Sequence, residues 1–106
     1  MQIFVSQPMN CRSSLEIYKE RYDYTQAFID GIEYDGKIKI IDSIYDLGDV
    51  HPLVYLGVSL IDLSKADVVL MLPGWEKSRG CVVEHEAAVR YNIPIYYMNG
   101  ELEVSI

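Results

Sequence analysis

The chain has 106 residues, half of them hydrophobic, which is enough for one core and too little for two independent ones, so a single domain over residues 1–106 is expected. Nine basic against sixteen acidic side chains give a formal net charge of -7, which disfavours gripping a nucleic-acid polymer by its phosphates or adhering to an anionic membrane. No apolar run approaches the roughly 20 residues of a membrane span, and nine tyrosines, two phenylalanines and one tryptophan argue against disorder.

Residues 2–6 (QIFVS) read as a first strand, broken by Pro8 and Asn10 into a loop. The N-terminal segment has no basic stretch ahead of an apolar one, so no secretory leader is expected and the compartment is read as cytoplasmic. Ser13 and Ser14 precede a helix that closes at Gly31, with Leu15, Tyr18, Tyr22, Ala27 or Phe28 and Ile32 recurring at helical spacing as its inner face. Asp35-Gly36 marks a turn, and residues 37–44 (KIKIIDSI) alternate as a second strand.

Residues 45–51 form a polar loop, and His51 is read as a loop residue there. Pro52 suits the first turn of a helix over residues 52–66, apolar enough to be packed on both sides. Residues 67–73 (DVVLMLP) form a continuous apolar run, as in a central parallel strand buried on both faces. A loop over residues 74–80 (GWEKSRG), a helix over 81–91 and a buried strand IPIYYM follow. Asn99-Gly100 then makes a turn, and LEVSI adds a short edge strand. The alternation predicts a three-layer α/β sandwich with four or five parallel strands and right-handed crossovers.

In such a sheet, ligands bind beyond the carboxyl ends of the strands. Three loops leave those ends, over residues 7–12, 46–51 and 74–80; the first and third lead directly into helices, so amide groups and positive helix ends face one crevice, as suits an anion such as phosphate. Ser6, Asn10, Arg12, Ser13, Ser78 and Arg79 can add hydrogen bonds, each serine being equally able to act as a helix cap. Gly74 and Gly80 permit tight turns and close backbone approach. Trp75 either stacks on a base or sugar, or packs on the protein itself. Glu84, one turn into its helix, points back toward the crevice, where a carboxylate would serve as nucleophile or cation stabiliser. Glu86 faces away and can pair with Arg90.

Other chemistries lack their residues. His85-Glu86 would need a second histidine where Val89 stands, no Gly-x-Ser-x-Gly elbow supports a serine triad, and neither a Walker ending nor a Gly-x-Gly-x-x-Gly loop is present. Cys11 and Cys81 are read as free thiols, Cys81 as a small buried hydrophobe, and no cysteine–histidine cluster suggests a metal.

The segments IFVSQPMN, PLVYLGVSL and ADVVLMLPGWEKSRGCVVEHEAAVRYNIPI resemble small phage and bacterial proteins of the nucleoside 2-deoxyribosyltransferase-like superfamily, most closely those of a family of unknown function within it. The resemblance spans nearly the whole chain. It implies a flavodoxin-like fold, a homo-oligomer, and N-glycosidic cleavage or 2-deoxyribosyl transfer on a small nucleoside or nucleotide without a cofactor.

By this likeness Glu84 attacks the anomeric carbon, Gly80 matches the preceding glycine, and Ser78 contacts a 5-phosphate. Ser6, Gln7, Pro8, Met9 and Asn10 match the sugar-phosphate loop. The same comparison puts Phe4 where the enzymes have a tyrosine, and Ser59 where they have the aspartate that handles the leaving base. Asp62, three residues on, is the candidate acid, and Tyr45 or Tyr55 could supply the missing hydroxyl. A non-catalytic nucleotide-binding or sensing module using the same crevice, with Ser78 and the first loop on phosphate and Trp75 on the base, is the alternative; Gly74 and Arg79 are candidate ligand-binding residues under either reading.

Overall fold

The computed structural model describes residues 1–98 and the strand backbone at 104–105. Its elements run β1 (Gln2–Ser6), α1 (Ser14–Gly31), β2 (Lys39–Ile40), α2 (Pro52–Leu63), β3 (Val68–Met71), a 3-10 turn (Trp75–Lys77), α3 (Arg79–Arg90), β4 (Ile95–Met98) and β5 (Val104–Ser105). The sheet order is β2-β1-β3-β4-β5. The first four strands are parallel, and β5 is antiparallel to β4. This is the expected flavodoxin-like sandwich. The Asn99-Gly100 turn lies outside the described residues.

Side chains alternate across each strand, so consecutive residues feed opposite layers. Ile3, Val5, Val68 and Leu70 pack with Tyr24 and Phe28 of α1 on one face. Phe4, Val69 and Met71 pack with Leu63 of α2 and with Cys81 and Ala88 of α3 on the other. β1 and β3 are therefore buried on both sides, which explains why their sequences are runs rather than alternations.

Ser13 caps α1, its side chain accepting the Glu16 N–H at 3.2 Å. Ser13→Ala should cost about 1 kcal/mol and Ser13→Gly only a few tenths; equal urea midpoints for wild type and Ser13→Ala would refute this. Gly31 is the last helical residue rather than a left-handed cap, and Ile32 follows in extended conformation.

The inner face of α1 differs from the expected one. Ile17, Arg21, Tyr24, Thr25 and Phe28 are buried, whereas Leu15, Tyr18 and Tyr22 are exposed. Both stripes have helical spacing. The one containing Arg21 and Thr25 goes inside because its polar groups find partners there. Thr25 Oγ1 donates to the Arg21 carbonyl at 2.7 Å, and Arg21 Nε donates to Gln7 Oε1 at 3.1 Å.

The second strand is shorter than its alternating stretch. Only Gln2↔Lys39 and Ile3↔Ile40 pair in the ladder, and the Ile41 N–H adds one bond to the Ile3 carbonyl. α2 ends earlier than expected, and just one side of it is covered: Ser59 and Leu63 are buried, but Leu53, Val54 and Ile61 are exposed. The sheet and α3 occupy its inner side, and nothing among the described residues lies over the outer one. No helix among the described residues is long and apolar enough to cross a membrane.

Candidate functional site

β1 and β3 are neighbours, and their following connections lead to α1 on one face and α3 on the other. Such a divergence opens a crevice at the carboxyl ends of the strands. A cavity of about 690 Å3 lies there, walled by Gln7, Met9 and Asn10 after β1, Tyr45 from the loop after β2, Val50, Leu53 and Leu56 around the start of α2, and Ser78, Gly80 and Glu84 at the start of α3.

Glu84 is buried and lines this cavity. Ser6, at the end of β1, donates its hydroxyl proton to Glu84 Oε1 at 2.6 Å. Burial pushes the Glu84 carboxyl above its ordinary range, and the Ser6 hydroxyl and the Arg21 guanidinium oppose that rise. Ser6→Ala removes the largest opposing influence, so the Glu84 titration should move to higher pH. Carbon-13 NMR of the labelled carboxyl would read it, and an unchanged or lower midpoint would show that the hydroxyl does not stabilise the anion.

The loop after β1 is pinned by a relay of side chains. Gln7 Nε2 donates to the Ile17 carbonyl and to Glu20 Oε1, while Arg12 Nη1 donates to Glu20 Oε1 and to the Pro8 carbonyl, each at 2.9 Å. Arg12 is thus committed within the protein. Arg21, buried behind Gln7, has an Nη2 with no hydrogen-bond partner, and burial lowers its pKa.

Seven of the predicted catalytic and ligand-binding residues line the cavity, Gln7, Met9, Asn10, Ser78, Arg79, Gly80 and Glu84, as do Phe4, Tyr45, Tyr55 and Ser59, which the resemblance singled out. Ser78 also caps α3, its hydroxyl oxygen accepting the Cys81 N–H. Pro8 and Gly74 lie against each other outside the wall; Gly74 has a φ of 86°, and a Cβ there would sit 3.7 Å from Pro8 Cγ. Trp75 packs on the protein: its ring stacks on His85 with centroids 4.3 Å apart, and His85 Nε2 lies 2.6 Å from the Tyr97 hydroxyl.

Asp62 is not part of the cavity wall. Its Oδ2 accepts the Tyr45 hydroxyl at 2.6 Å, and Lys65 Nζ donates to Oδ1. The Tyr45 bond, with Lys65 behind it, holds the carboxyl below its usual range, so it stays ionised near neutrality and has no proton to give. The reason is helical phase: Ser59 turns inward while Asp62 meets the loop carrying Tyr45.

The start of α2, reached by the 46–51 loop, supplies an apolar wall to which the sequence reading gave no role beyond Tyr55. His51 caps that helix, with Nδ1 accepting the Leu53 N–H, and Val50, Leu53 and Leu56 bring apolar surface. Pro52 was the available signal, because it marks a helix start after a parallel strand. Among the described residues no group of three or more His, Cys, Asp or Glu side chains could hold a metal. Cys81 is buried and burial raises its thiol pKa.

Fold and cavity together define a flavodoxin-like α/β domain with one buried carboxylate at the divergence of its central strands. Residues 1–97 match the domain of unknown function DUF4406, and the chain belongs to that family. No curated protein and no solved structure matches it.

Proposed function

We propose that this protein cleaves the N-glycosidic bond of a nucleoside or nucleotide, by hydrolysis or by 2-deoxyribosyl transfer, with Glu84 as the carboxylate that meets the anomeric carbon. The observation carrying this reading is the Ser6–Glu84 pair: a buried carboxylate, fixed at one oxygen by a 2.6 Å hydrogen bond, in the wall of a nucleoside-sized cavity. Cleavage passes through an oxocarbenium-like transition state, which such a carboxylate stabilises or traps covalently. The first-turn amides of α3 at Arg79 and Gly80, with Ser78 and Asn10, suit a sugar phosphate. The chemistry requires neither metal nor organic cofactor.

A second reading, binding without turnover, is favoured by the position of Asp62 outside the cavity wall. The two separate in one experiment. The protein is incubated with 2-deoxynucleosides, their 5-monophosphates and the ribose counterparts, and free base is followed by chromatography beside Glu84→Gln. Base released by the wild type alone supports the enzyme. Nucleotides that raise the melting temperature but yield no base would leave the binding module.

A further inference from the structure

We propose that the preferred substrates are N-glycosides whose glycosidic ring nitrogen already carries positive charge, such as pyridinium ribosides and N7-alkylated purine nucleosides. This rests on the glycosidase reading and names its substrate class.

The argument is an inventory of protons. An ordinary purine or pyrimidine departs as an anion unless an acid protonates it, and the acid contributes on the order of 10²–10⁴-fold. Among the described residues lining the cavity, there is no aspartate, no lysine and no glutamate other than Glu84, and both tyrosines and two of the serines have their protons committed elsewhere. The Tyr45 hydroxyl donates to Asp62, and the Tyr55 hydroxyl donates to the Gly48 carbonyl at 2.8 Å. The Ser59 hydroxyl donates to the Leu56 carbonyl at 2.9 Å, and that of Ser43 to the Val5 carbonyl. His51 Nδ1 is engaged by the Leu53 N–H at the start of α2. Arginine does not release a proton at neutral pH. Glu84 cannot be nucleophile and acid in one step. Burial and the Asp62 bond also push the Tyr45 phenol above its ordinary value.

A cationic leaving group removes the need for that acid. The Glu84 carboxylate forms a bond to the anomeric carbon as the carbon–nitrogen bond breaks. The electron pair goes to the ring nitrogen, the ring's positive charge is cancelled, and a neutral base leaves with no proton transferred. Water then attacks the same carbon, the carboxylate is released, the sugar leaves as its hemiacetal and one proton passes to solvent. Glu84 is also the only carboxylate among the described lining residues, so a positive ring is drawn toward it and not toward a competing anion.

The test compares guanosine with 7-methylguanosine, and includes nicotinamide mononucleotide, each with wild type, Glu84→Gln and a protein-free blank at neutral pH. The expected result is Glu84-dependent release of 7-methylguanine and nicotinamide at least about 100-fold faster than release of guanine. Equal rates for guanosine and 7-methylguanosine would overturn the inference and leave the glycosidase standing. Absence of base from every compound in this set and in the broader nucleoside panel would overturn both.

Discussion

Glu84→Gln is expected to reduce base release by on the order of 10⁴-fold or more, because removing the group that meets the reacting carbon leaves only binding and positioning. The amide oxygen still accepts the Ser6 hydroxyl, so the fold should survive. Stability should respond in a defined direction. Burial raises the Glu84 pKa in the folded chain, so the folded state holds that proton more tightly than the unfolded one. The contribution is therefore complete below the ordinary carboxyl pKa and is lost as pH rises from there through the raised value. Between acid and neutral pH the wild type loses that contribution progressively, and the glutamine variant, which has no such proton to lose, does not. Its urea midpoint at pH 7 should equal or exceed that of wild type. A large loss of stability alongside lost activity would mean that Glu84 is a structural group.

Arg21→Met should produce the second large effect, with stability and site electrostatics moving in opposite senses. The guanidinium is buried, has one side-chain partner in Gln7 and leaves Nη2 unbonded. A buried ion costs several kcal/mol, against about 1 kcal/mol for the lost Gln7 bond, and methionine fills similar space without charge. A net gain on the order of 1–2 kcal/mol follows. The same change removes a positive charge that favours ionised Glu84, so the Glu84 titration, and the acid limb of any base-release profile, should move to higher pH. A destabilised variant with an unmoved titration would show that Arg21 acts through packing alone.

These two residues mark how far the sequence could be read. Glu84 was legible because a helix start follows an apolar strand run, and one turn of helix sets which way its side chain points. The parallel α/β sheet followed from the alternation of elements. Arg21 was not legible as a buried group, since its partner Gln7 lies fourteen residues away and apolar spacing favoured Leu15, Tyr18 and Tyr22. Asp62 was misplaced for a related reason: three residues is nearly a helical turn, and only the loop carrying Tyr45 decided between cavity and surface. Trp75, with two readings open, was settled by His85 and Tyr97, whose positions depend on how α3 and β4 pack.

The brevity of β2 has a consequence for the company the protein keeps. A sheet edge presents unpaired amides and carbonyls that invite a second chain to add a strand, and short or lysine-bearing edges resist this. Here that edge is two residues long and carries the exposed Lys39. It offers little template for runaway strand-to-strand growth. A chain this rich in tyrosine and branched aliphatics is thereby protected from fibrillar aggregation along that side, while its helical faces remain available for ordered contacts.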